Sequence, residues 1–171
     1  MNTPIPSYLY RGQRQNTDTL EAQTIPPGDK HRFPEGTDKV VFATWSETEA
    51  KIYGLLSRTG KAFQIAPYIK EGVDLEDNES WESLENKVIW RVTCSEITRE
   101  ELLKSEQVYI YRFPSEGFEW DNEGHELWSK TTVENPEVKA LTPKEILDEW
   151  EREGNVELKL SENNEGKRIF K

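Results

Sequence analysis

The chain has 171 residues, 34 % of them hydrophobic and 32 % charged, with a formal net charge of −11. That length suits one domain, and the six Trp exclude the aromatic-poor composition of a disordered segment. The acid excess, with no basic stripe along the chain, excludes a broad nucleic-acid surface and points to solubility or to docking on a basic partner.

Residues 1–7, with Pro4 and Pro6, read as an extended arm. Tyr8 to Arg11 reads as a strand that ends at Gly12. From Gln13 to Asp38 the turn signals Pro26-Pro27-Gly28-Asp29 and Pro34-Glu35-Gly36 interrupt any period, and a connection this long is often a binding loop. Lys39 to Thr44 is a strand. A helix follows to Ser57, with Ser46 as N-cap and Glu49 completing a capping box. Ile52, Tyr53 and Leu56 share the face expected to meet the core, and Arg58-Thr59-Gly60 closes the element.

Ala62 to Ile69 is either a strand or part of a broken connection. The acidic run Glu71 to Asn86 reads as a solvated loop anchored by Trp81 and Leu84. Lys87 to Cys94 is a strand, followed by a helical segment to Lys104 capped by Ser95 or Thr98. Gln107 to Phe113 alternates as a strand, and Pro114 to Gly124 is a turn-rich loop carrying Phe118 and Trp120. His125 to Lys130 and Glu137 to Leu141 are short strands. Thr142 caps a helix with Pro143 at its first position, running to about Arg152 before Gly154. Val156 to Leu160 adds a late strand, so that 1–160 form one domain and 161–171 a polar tail. Strands outnumber helices and do not alternate with long ones, which predicts an α+β fold.

The single Cys94 lies inside a strand-like run and reads as buried filler. No N-terminal apolar stretch reads as a signal peptide and no run is long enough for a bilayer, so the expected location is cytoplasmic. Gly54 to Lys61 fails as a phosphate loop: five residues separate its glycines and Ala62 stands where a hydroxyl belongs. Asp74 to Asn78 lacks the glycine and spacing of a calcium loop, and His31 and His125 lie in no zinc pattern. With 33 carboxylates, choosing two as a glycosidase pair is arbitrary.

Three features remain: Arg11 beside Gly12, the hydroxyls Thr44 and Ser46, and Glu126 on a late strand. An arginine fork holds a phosphate bidentately. A carboxylate beside a ribose favours the cationic transition state in which a glycosidic bond breaks. Each residue also has a plainer reading. Arg11 pairs with a carboxylate, Thr44 and Ser46 end a strand and cap a helix, Tyr53 packs in the core, and Glu126 sits exposed on an edge strand.

The order of these pieces resembles the ADP-ribosyltransferase superfamily. Leu9-Tyr10-Arg11-Gly12 is similar to its first motif, Val41-Phe42-Ala43-Thr44-Trp45-Ser46 to its second, and Gly124-His125-Glu126-Leu127-Trp128-Ser129 holds the third. The resemblance implies two packed, mostly antiparallel sheets around a cleft with flanking helices. It implies NAD as substrate with no metal, and an NAD-dependent ADP-ribosyltransferase or NAD glycohydrolase of the toxin or phage-effector kind. Tyr10, Arg11 and Gly12 would bind the dinucleotide, Thr44 and Ser46 would orient the ribose or the glutamate, and Tyr53 would stack on nicotinamide. Glu126 would serve the transition state, with Glu119 as the alternative. The partner implied is a macromolecular acceptor, protein rather than nucleic acid, and no membrane. One branch of the family has His where Arg11 stands. The arginine branch has Ser-Thr-Ser on the second strand, where this chain has Ala43-Thr44-Trp45-Ser46, and a Glu or Gln two positions before the catalytic Glu, where this chain has Gly124. Transfer to a protein arginine is therefore disfavoured. Two other readings stand beside this one: a non-enzymatic acidic module that sequesters a basic partner, and NAD-dependent chemistry on RNA ends, which the acidity opposes.

Overall fold

A computed structural model of the chain describes residues 4–57, 59–76 and 79–161. In chain order its elements are β1 (Tyr8–Gln13), β2 (Thr19–Leu20), β3 (Gln23–Thr24), a 3-10 helix (Pro27–Arg32), β4 (Lys39–Ala43), α1 (Glu47–Leu56), β5 (Gln64–Ile69), α2 (Trp81–Lys87) and β6 (Val88–Cys94). There follow α3 (Arg99–Leu103), β7 (Val108–Pro114), β8 (Glu119–Trp120), β9 (Leu127–Ser129), β10 (Val133–Glu134), β11 (Glu137–Leu141), α4 (Pro143–Glu153) and β12 (Val156–Leu160). The result is an α+β single domain with open, mostly antiparallel sheets and flanking helices.

Among the described residues the strands form four small sheets, where two had been expected. β7 runs between β1 and β11, antiparallel to both. β4 and β9 form the middle of the sheet β3-β4-β9-β8. β6 lies between antiparallel β5 and parallel β12, and β2 pairs only with β10. The division follows from strand length. Strands of two or three residues form few ladder hydrogen bonds, which keeps each sheet small.

The alternation of β7 explains how one domain holds two main apolar clusters. Val108 and Ile110 share one face and join Ile52, Leu55, Trp90 and Trp150. Tyr111 and Phe113 share the other and join Leu9, Val41 and Leu127. Successive strand side chains point to opposite faces, so the β7 sheet divides the interior. Trp45 packs against both clusters. A small third cluster gathers Ile25, Phe33, Val40 and Trp128.

Two glycines seat α1 on the β1 sheet. A Cβ on Gly12 would lie 1.8 Å from the Ala50 carbonyl oxygen, and Gly54 approaches the Gly12 Cα within 3.2 Å of where its own Cβ would stand. Helix and strand backbones therefore touch. Gly12 thus lets the helix backbone approach the strand closely.

Several expected elements are present with altered limits. β1 continues through Arg11 to Gln13. The acidic run expected to be a loop contains α2, capped by Ser80, whose side chain accepts from the Ser83 N–H. The open question at Ala62–Ile69 resolves as a strand from Gln64. Thr98, not Ser95, caps α3, with a full capping box to Glu101. Thr142 and Glu145 form the box that starts α4, and Gly154 ends it with φ 66°. Cys94 is buried. The tail beyond Ser161, the first three residues of the arm and Arg58 lie outside the described residues. Among the described residues no helix is long and apolar enough to cross a membrane.

Candidate functional site

β1 and β4 belong to different sheets and meet through one isolated bridge, in which the Tyr10 N–H donates to Thr44 O at 2.8 Å and the Thr44 N–H to Tyr10 O at 2.9 Å. Beside this bridge is a cavity of about 280 Å³. β1 supplies Tyr10, Arg11 and Gly12 to its wall, and β4 with the residue after it supplies Phe42, Ala43 and Thr44. α1 adds Glu49, Ala50 and Tyr53, the 3-10 segment adds Asp29 and Arg32, and Glu126 enters from the residue before β9. Six of the seven residues that the sequence marks as site candidates, Tyr10, Arg11, Gly12, Thr44, Tyr53 and Glu126, thus line one cavity. The seventh, Ser46, does not.

Arg11 is half-buried within β1. Its Nη1 donates to Phe42 O at 3.1 Å and its Nε to the Gln13 Oε1 at 3.3 Å, so the guanidinium reaches from β1 to β4 past the bridge. Ser46 is fully buried. Its hydroxyl accepts from the Glu49 N–H at 3.0 Å and donates to Glu85 Oε1 at 2.9 Å. It caps α1 and is not among the residues that line this cavity.

The capping box expected at Ser46 is only half made. The Glu49 carboxylate accepts from the Thr44 hydroxyl instead of the Ser46 N–H, and that N–H donates to Thr44 Oγ1 at 3.1 Å. Thr44 therefore takes over the backbone donor and draws Glu49 into the cavity. Burial raises the Glu49 pKa to about 7, against the Thr44 hydrogen bond and with help from the charges of Glu126 and Glu85.

Tyr53, expected on the core face of α1, is 36 % exposed. It meets Phe63 edge-on at 5.6 Å. Burial raises its hydroxyl pKa, with Glu49 and Glu126 adding to the rise and Arg32 opposing it. The ring thus stands between the helix and the charged side of the cavity.

Glu126 is held by a loop built around Asp121. The Asp121 side chain is fully buried, and its Oδ1 accepts from the N–H groups of Glu123 and His125, both at 3.0 Å. The Asp121 N–H donates to Glu126 O at 2.9 Å. Arg32 then ties this loop to the 3-10 segment: its Nε donates to Asp121 Oδ2 at 2.9 Å, and its Nη2 lies 3.1 Å from Glu126 Oε1. Burial works against the Arg32 charge, but its hydrogen bonds to Asp121 and the charge of Glu126 outweigh it and hold the pKa above the usual arginine value. Glu119, the alternative acidic residue, is exposed in β8 and outside the cavity wall.

Arg32 and Glu49 were not singled out from the sequence. Arg32 lies in the aperiodic connection read as a binding loop, where no period marks one basic residue over another. Glu49 was assigned to a cap. A signal for it was present in the spacing Thr44-Trp45-Ser46-Glu47-Thr48-Glu49, where two hydroxyls compete for one carboxylate. The finished arrangement holds two carboxylates in unlike surroundings, Glu126 paired to a guanidinium and Glu49 shifted toward neutrality. Such divergence is how two carboxyl groups take different proton roles. Among the described residues no group of three or more His, Cys, Asp or Glu is placed to hold a metal ion. No protein family, curated protein or solved structure matches the chain.

Proposed function

We propose that this cavity binds the nicotinamide–ribose half of NAD, and that the protein is an NAD-dependent ADP-ribosyltransferase or NAD glycohydrolase. One observation carries the reading: residues from three separated short motifs, at positions 10–12, 44 and 126, line a single cavity with Tyr53. A volume of about 280 Å³ is just below the ~300–1,000 Å³ usual for ligand pockets. It suits one nucleoside-sized half, with the rest of the dinucleotide lying outside along Arg11.

In this reading Tyr53 stacks on the nicotinamide ring and Arg11 takes a phosphate oxygen. Glu126, positioned by its ion pair with Arg32, accepts a hydrogen bond from a ribose hydroxyl. The bond from the anomeric carbon to the nicotinamide nitrogen breaks, and its electron pair leaves with nicotinamide. Positive charge builds on the ribose, which the Glu126 carboxylate stabilises. An acceptor oxygen, from water or a macromolecule, then bonds to the anomeric carbon, and its proton passes to the ionised Glu49. A base with a pKa of about 7 suits that transfer at neutral pH.

The test is nicotinamide release from NAD by the wild-type protein and by Glu126→Gln. Loss of release by about 100-fold or more is expected, with little change in melting temperature, because Gln keeps the shape and a half-exposed ion pair contributes at most about 1 kcal/mol. Equal release by the two proteins removes Glu126 from the reaction. The net charge of −11 favours a second reading, a non-enzymatic module that binds a basic protein. Salt-sensitive binding to such a partner with no NAD affinity would distinguish it.

A further inference from the structure

Tyr10 lines a second cavity besides the one already described. It has a volume of about 350 Å³, and its aromatic wall is Tyr8, Tyr10, Trp45 and Trp81. Tyr8 and Tyr10 stand two residues apart and so share one face of β1. The Trp45 and Trp81 rings lie 5.1 Å apart at 45°. Three carboxylates, Glu47, Glu82 and Glu85, line the same cavity against one guanidinium, Arg112.

The charged groups have distinct tasks. Glu85 accepts through Oε1 from the Ser46 hydroxyl and the Thr48 N–H, which anchors α2 against the start of α1. Glu47 pairs with Lys139 and, at 3.8 Å, with Lys51. Glu82 is exposed in the first turn of α2. Arg112 pairs with Glu137 at 3.0 Å and holds its guanidinium carbon 3.6 Å from the Tyr8 ring centre. One cation is therefore already seated on an aromatic face here. On the tryptophan side, where Trp81 also meets Trp120 at 5.9 Å, indole rings stand beside the exposed Glu82 carboxylate, a combination that attracts a second cation.

We infer that this second cavity docks a lysine or arginine side chain of a basic polypeptide. Cation affinity follows from the aromatic and acidic lining alone. That the polypeptide is the acceptor rests on the proposed NAD reading: Tyr10 lines both cavities, so a segment held in one lies beside the other. The cation is a recognition handle and not the modified group. The overall charge of −11 adds long-range attraction to the same partner.

The probe is a short lysine-rich peptide, with its glutamate counterpart as control, titrated into the full chain at low salt. Tryptophan emission and calorimetry give the readout. Wild type is expected to bind the lysine peptide saturably, with a change in tryptophan emission and weakening as salt rises. Glu82→Lys and Trp81→Leu are each expected to bind roughly three- to tenfold more weakly. No saturable binding by wild type overturns the inference. So does a loss confined to Glu82→Lys, since that describes unspecific charge attraction without an aromatic site. Nicotinamide release to water, unchanged in Glu82→Lys, is measured separately. Its absence in wild type together with no NAD binding by calorimetry defeats the NAD reading and leaves the cation site standing if the peptide still binds.

Discussion

Glu49 carries the most informative choice made by a single side chain. A carboxylate at the third position of a helix ordinarily closes a capping box. Here Thr44 captures it from outside the helix. The consequence is a group whose native pKa is about 7, above its ordinary 4.5. With the native value raised, the native state binds more protons than the unfolded chain between those two values, so this group's contribution to stability falls as pH rises through that window. Below about pH 4.5 both states are protonated and there is no penalty. Glu49→Gln resembles the neutral form at every pH. It is expected to be more stable than wild type by about 1–2 kcal/mol at pH 8, after discounting for partial solvent contact. The advantage shrinks to nothing near pH 4. Urea unfolding of both proteins at the two pH values measures it, and an advantage that is independent of pH would show that Glu49 is not held toward neutrality.

At the scale of elements, the seat of α1 on β1 shapes the cavity, because Glu49, Ala50 and Tyr53 on the helix face Tyr10, Arg11 and Gly12 on the strand. Gly12 is the contact that permits it. A methyl there meets a backbone carbonyl at 1.8 Å, which no rotamer change can relieve. Gly12→Ala is expected to cost about 3 kcal/mol or more and to disorder the cavity. Gly28→Ala, with nothing within 4 Å of the added carbon, serves as control and should stay within about 0.5 kcal/mol of wild type. Thermal melts of the two variants decide this. A mild Gly12→Ala would mean that α1 can slide on the sheet.

Elements with strong local signals were readable without coordinates. α4, with Thr142, Pro143 and Gly154 at its ends, and β6, with strict alternation of buried and less buried residues, match expectation closely. Elements whose signal is tertiary were not. α2 lies in an acidic stretch with no apolar period, and it is fixed by Trp81 against Trp45 and by Glu85 on the start of α1. β8 has two residues and exists only by pairing with β9.

For the whole molecule, the sequence located six of the expected site residues in the cavity but not the cavity's electrostatics. Arg32 sits 89 residues from Asp121 and 94 from Glu126 along the chain. Pairings over that separation leave no mark on local composition. Acidity was legible, and its distribution was not: Glu47, Glu82 and Glu85 collect around tryptophans, while Asp29, Glu49 and Glu126 face the arginines of the other cavity. The division gives one molecule two adjoining cavities with unlike linings, one proposed for a nucleoside and one for a cation. The claim on which the proposed activity depends is that the first cavity takes NAD. A crystal of the protein soaked in NAD tests it most directly. The account predicts density for a nicotinamide ring against Tyr53, with its ribose beside Glu126 and Thr44. An empty cavity at saturating NAD, or a dinucleotide bound elsewhere on the surface, would contradict it.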